Sequence, residues 1–154
     1  MIKANPQLLI ALAIYFNSCS YAQEQQKISY DIRINYSEKR RVETRSSFKD
    51  KEVSKKLEDD IHLFFETGFL KDKITLIINN EVIINKTIST DEALGLAEYI
   101  NVGKKKEVKN LGIRLNNGSL AYIEIKPTDN VIGVYLVDRK LLVVEFIEGY
   151  PSYY

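Results

Sequence analysis

Asn116-Asn117-Gly118-Ser119 stands between two apolar runs, Leu111–Leu115 and Leu120–Lys126. An Asn-Gly pair flanked in this way is among the strongest short-range signals for a β-hairpin. Gly118 is expected to hold the positive φ that such a turn needs. The pattern recurs twice. Ile74–Ile78 and Val82–Ile88 flank Asn79-Asn80-Glu81, and Val131–Val137 and Leu141–Ile147 flank Asp138-Arg139-Lys140. Pro127-Thr128-Asp129-Asn130 joins two of the pairs, and Glu98–Val102 reads as a further strand before the turn at Gly103. Short β-branched runs between polar turns leave little room for anything but an all-β domain.

The N-terminal half fits this reading. Ile28, Tyr30, Ile32, Ile34 and Tyr36 alternate with polar residues, the period of a half-buried strand. Val42 and Thr44 allow a second, more exposed strand. From Lys49 to Asp60, Val53 and Leu57, with Ile61 next, follow an i, i+4, i+8 spacing that predicts a short surface helix. A charged loop is the competing reading. Ser89-Thr90-Asp91-Glu92 has capping-box form ahead of one helical turn at Ala93–Leu96, which Gly95 ends. Phe64, Phe65 and Phe69 are expected core aromatics.

The expected fold is therefore an antiparallel β-sandwich of about eight strands with at most one or two short helices. A small closed β-barrel is the alternative. The sandwich is preferred because Ile74–Ile78, Val131–Val137 and Leu141–Phe146 have few polar breaks and suit strands covered on both sides. With 154 residues the chain holds one domain, over residues 28–154. Hydrophobic residues at 45% and charged residues at 28% argue against global disorder.

Residues 1–22 read as a signal peptide and 23–27 as a short linker. Lys3 precedes the apolar run Leu8–Phe16. As a helix that run reaches only about 13 Å, against a ~30 Å hydrocarbon core, so it suits an export leader rather than a membrane span. Ser20-Tyr21-Ala22 offers a small-residue cleavage site before Gln23. Phe16-Asn17-Ser18-Cys19 is the competing site, at which Cys19 would be lipidated and tether the domain to a membrane. The expected destination is periplasmic or extracellular, or the cell envelope if Cys19 is acylated. Cys19 is the single cysteine, so residues 23–154 carry no disulfide and stability rests on the core.

Chemistry is constrained by scarcity. One Cys, one His (His62) and no Trp exclude Cys/His zinc sites and a thiol enzyme in the domain. His62 lies beside Asp59 and Asp60, which could orient it as a base, but a lone His at the edge of an apolar segment reads as structural. Asp91, Glu92, Glu124, Asp129 and Glu145 are the carboxylates open to a hydrolase, and their scatter pairs none of them. No calcium loop or phosphate loop occurs, so no metal or cofactor is expected. With 22 basic against 21 acidic residues, nucleic acid is an unexpected partner. Lys39-Arg40-Arg41, Lys55-Lys56 and Lys104-Lys105-Lys106 read as solubilising groups that guard strand edges.

The tail Gly149-Tyr150-Pro151-Ser152-Tyr153-Tyr154 is the most unusual local feature. Tyr rings offer an apolar face and a polar tip, which suits sugars and protein partners. Tyr150, Tyr153 and Tyr154 are thus the candidate binding residues, the rival role being a plug over an open core edge. Together these features predict an exported, non-catalytic binding protein whose partner is a protein or a glycan. A membrane enters only through the Cys19 anchor. The alternatives are a barrel-type lipid or small-molecule carrier, its cavity lined by residues such as Phe64, Phe65 and Tyr122, and a small carboxylate-dependent hydrolase.

Overall fold

A computed structural model describes residues 29–42 and 58–153. Among them are nine strands: β1 (Asp31–Arg41), β2 (Asp60–Phe65), β3 (Asp72–Ile78), β4 (Glu81–Ile88), β5 (Glu98–Lys104), β6 (Leu111–Leu115), β7 (Leu120–Ile123), β8 (Val131–Val137) and β9 (Leu141–Glu148). They form a five-stranded sheet, β1-β9-β8-β2-β5, and a four-stranded sheet, β4-β3-β6-β7. Neither closes into a barrel, and the two inner faces bury one continuous core, so the fold is a sandwich.

Alternation assigns the faces. Ile61, Leu63 and Phe65 of β2 point into the core with Ile132 and Val134 of β8 and Val144 and Phe146 of β9. Ile74 and Leu76 of β3 meet them with Leu111, Ile113 and Leu115 of β6. All of these are buried. Phe65 and Phe69 pack in this core edge to face, whereas Phe64 is buried on the opposite side of its sheet. Phe64, Phe65 and Tyr122 therefore line no common cavity.

Hairpin signals carry through to the turns. Asn79 and Asn80 have φ of 51° and 70°, and Asp138 and Arg139 have 48° and 58°. Positive φ at both central residues is the primed turn that matches strand twist. The expectation for Gly118 is overturned. Asn116 and Asn117 hold the positive φ, at 45° and 59°, and the Gly118 N–H closes the turn on the Leu115 carbonyl at 2.7 Å. Asn tolerates the left-handed region because its short amide bonds locally, so the Asn pair does the work assigned to glycine. Asn117→Val should therefore lower stability by about 1 kcal/mol or more in denaturant unfolding. An unchanged midpoint would contradict this turn.

Other local expectations shift. The charged stretch after Tyr36 stays in β1, with a register irregularity between Asn35 and Lys39. β1 is an edge strand, where charged side chains are at home. β7 ends at Ile123 rather than Lys126. At Ala93–Leu96 there is a tight loop, not a helical turn: Asp91 Oδ1 accepts from the Ala93 and Leu94 amides at 2.9 and 3.2 Å, and Asp91 bridges Leu96. Of the helix expected over 49–60, residues 49–57 lie outside the described residues, Glu58 and Asp59 are helical, and Asp60 already belongs to β2. The signal peptide over residues 1–22, Cys19 and Tyr154 also lie outside them.

Five of the seven strand pairs are antiparallel; β1 with β9 and β2 with β8 are parallel. Parallel neighbours are joined by long crossovers rather than by turns, and so leave no local signature.

Candidate functional site

The outward-facing side of β2 carries His62 and Phe64, and Glu66 just after the strand continues this alternate set to the core residues. β8 adds Val131, Gly133 and Tyr135 on the same side, and β9 adds Glu145 and Ile147. This face is covered by the C-terminal tail. Phe64, Val131 and Ile147 form a second buried cluster, with Tyr150 and Tyr153 of the tail, Leu96 and Val42 packed against it. Pro151, next to Tyr150 in the chain, is also buried.

Phe64 is the centre of the aromatic set. Its ring centroid lies 5.1 Å from Tyr99, 5.3 Å from Tyr150 and 5.4 Å from Tyr153. His62 is stacked nearly parallel to Tyr99 and edge-on to Tyr150, with centroids at 6.0 and 5.3 Å. His62 Nδ1 lies 2.9 Å from the Tyr99 hydroxyl. Such offset and edge contacts favour ring pairing beyond the area they bury. Tyr99 is 40% exposed, whereas Tyr150 and Tyr153 are half-buried.

A polar network borders the rings. The Arg40 guanidinium donates to Glu66 Oε1, and its Nε lies 3.3 Å from Glu145 Oε2. The Tyr153 hydroxyl donates to the same Glu66 oxygen. Glu145 Oε1 accepts from the Tyr135 hydroxyl at 2.8 Å and from Asn35 Nδ2 at 3.1 Å. Gly133 makes room: a Cβ there would stand 2.9 Å from Arg40 Nη2 and 3.0 Å from Ile147 Cδ1.

The electrostatics follow from burial and these partners. Burial, together with the Glu145 carboxylate, pushes the Tyr135 hydroxyl up to about 12. Burial and Glu66 raise Tyr153 further, against the opposing pull of Arg40. Burial disfavours the Arg40 charge, but Glu66, Tyr153 and Glu145 outweigh it and raise Arg40 overall. Two tyrosines with raised values stabilise the fold below the ordinary tyrosine value of ~10, and that contribution is lost as pH climbs above it. Tyr135 and Tyr153 should ionise above the ordinary tyrosine value of ~10 in a spectrophotometric titration. Tyr135→Phe and Tyr153→Phe should each remove one late step, and a titration with no step above ~10 contradicts the network.

The structure thus brings Tyr150 and Tyr153 onto one face with His62 and Glu145. The remaining candidate carboxylates stay apart. Asp91 caps its own loop, Asp129 is buried 3.0 Å from Lys39 Nζ, and Glu92 and Glu124 are exposed. Asp60, a suggested orienter of His62, instead accepts from Asn101 Nδ2 at 3.0 Å. Sequence reading missed Glu66, Arg40, Tyr99 and Tyr135. Glu66 follows the run Ile61–Phe65 in the alternating pattern, which was the one signal that could have placed it beside Phe64. No group of three or more metal-ligating side chains occurs among the described residues, and none of their helices is long and apolar enough to cross a membrane.

The outer face of the four-stranded sheet is different in character. Val82, Ile77, Gly112 and Tyr122 are paired in one row across its strands, and Tyr122 is 63% exposed. That row is apolar without a polar cluster like the one beside Phe64.

Comparison with protein-family models, with curated proteins and with solved structures finds no match to this chain.

Proposed function

We propose that this chain is an exported, non-catalytic β-sandwich that binds a protein or a glycan through the tail-covered face of its five-stranded sheet. The observation that carries this reading is the set of half-exposed tyrosines, Tyr99, Tyr150 and Tyr153, held around Phe64 beside the Arg40–Glu66–Glu145 network. The network's charges are paired within the protein, so the rings rest on a rigid base. A preorganised aromatic surface loses little entropy when it engages a partner. The leader pattern ending at Ala22 supports export, and acylation at Cys19 would instead hold the domain at the envelope.

The same network argues against a carboxylate hydrolase. Glu66 and Glu145 are bridged by one guanidinium. A glycosidase pair instead faces its substrate, with space for a sugar or a water between the carboxyls.

Screening the full chain against immobilised glycans and candidate envelope proteins tests the reading. Tyr99→Ala should weaken the selected partner by about fivefold or more, at some cost in stability from its lost contacts with Phe64 and His62, so affinity is measured on the folded fraction. Tyr150→Ala with Tyr153→Ala should weaken it too, at some cost in stability. Affinity unchanged in both variants would overturn this face. Turnover of a substrate, abolished by Glu66→Gln or Glu145→Gln in a still-folded protein, would overturn the non-catalytic reading.

A further inference from the structure

A cleft of about 560 Å³ opens at one end of the sandwich, at the opposite end of β5 from Tyr99. Lys104, Lys105 and Lys106 line one side, where β5 runs into the short 3-10 turn Lys105–Glu107. Lys126 and Pro127, in the loop after β7, line another, and Glu58 and Asp59, just before β2, also line the cleft. Val108 and Ile125 complete the wall, and both pack against the main core, so the cleft has an apolar floor.

The lining charges are unequal: four lysines against two acidic residues. Among the described residues, none of the four lysines is within ion-pair distance of a carboxylate. Lys105 donates to the Pro127 carbonyl at 2.9 Å, and Lys126 sits 5.7 Å from the centre of the Tyr36 ring. Neither contact neutralises the charge. Lysines gathered only to guard a strand edge would not need to surround a cavity that reaches the core.

We infer that this cleft binds a small amphiphilic anion, an oxyanion head group on a short apolar body. The head would meet Lys104 and Lys106, whose ammonium groups act as point charges for carboxylate or phosphate. The body would lie on Val108, Ile125 and Pro127. The volume falls within the ~300–1,000 Å³ of ordinary small-molecule sites.

Calorimetric titration of the full chain with decanoate, decyl phosphate, decanol, acetate and inorganic phosphate tests this. Decanoate or decyl phosphate should bind one to one, about tenfold or more tighter than decanol and than either bare anion. Which of the two binds better identifies the head group as carboxylate or phosphate. Lys104→Ala with Lys106→Ala should weaken that binding about tenfold while melting stays unchanged, since both side chains are exposed. Ile125→Asn should weaken it without altering the salt dependence. Equal binding of decanol, no binding by any probe, or undiminished affinity in the double lysine variant would each overturn the inference. The last result would place the amphiphile elsewhere, for example on the apolar run Leu8–Phe16.

Discussion

Gly68→Ala is expected to destabilise the domain by about 3 kcal/mol or more, from a strained backbone and an overlap that cannot relax. Gly68 has φ of +90°, where L side chains are strained, and a Cβ there would stand 2.0 Å from the Leu136 carbonyl oxygen. That neighbour is backbone and is held in place. The Leu136 N–H donates to the Thr67 carbonyl at 3.0 Å, and the Glu66 N–H donates to Val134 at 2.8 Å. The chain leaving β2 therefore lies directly against β8, and only a residue without a Cβ fits. Denaturant unfolding measures the effect. A midpoint within error of the parent would mean that this close approach does not exist.

Asp72→Ala should cost nearly as much, about 2–4 kcal/mol, because it removes one buried acceptor from several donors at once. Asp72 is only 1% exposed, yet it is fully partnered. Arg139 grips both its oxygens at 2.6 and 2.9 Å, Asn116 Nδ2 donates at 2.6 Å, and the Leu70 N–H donates at 2.7 Å. Asn116 also reaches the Tyr30 hydroxyl at 2.6 Å, so one carboxylate ties together the β6–β7 turn, the β8–β9 turn and the start of β3. Burial alone would raise the Asp72 carboxyl, but Arg139, the Leu70 amide and Asn116 outweigh it and hold it below its ordinary value. A lowered value stabilises the fold above the ordinary carboxylate value of ~4, and that contribution is lost as pH falls below it. Acid unfolding should therefore have a smaller pH dependence below ~4 in Asp72→Ala than in the parent. Parallel acid curves for the two proteins would contradict the role assigned to Asp72.

The legible parts of this fold are those written in neighbouring residues. Alternation along Tyr30–Tyr36 and β-branched runs flanking Asn79-Asn80 and Asp138-Arg139 mark strands and turns because side-chain direction and φ preference are local properties. The parallel pairing of β1 with β9 is set by contacts between Ile32 or Ile34 and the core, more than a hundred residues away along the chain. No turn motif announces it. The candidate site divides in the same way. The tail tyrosines stand out as a cluster in the sequence, but the side chains that receive them come from β2 and its end, Phe64 and Glu66, and from distant β5, Tyr99. Arg40 resembled one more solubilising charge. Its role depends on the missing side chain at Gly133, a relation that only the sheet creates.

We propose recognition through the tail-covered face of the five-stranded sheet. Hydrogen–deuterium exchange, with and without the partner selected in the screen, tests it most directly. New protection is expected at Tyr99 and across residues 149–153, with the hairpin residues 81–84 and 120–122 unchanged. Protection confined to those hairpin residues, around exposed Val82 and Tyr122, would contradict it.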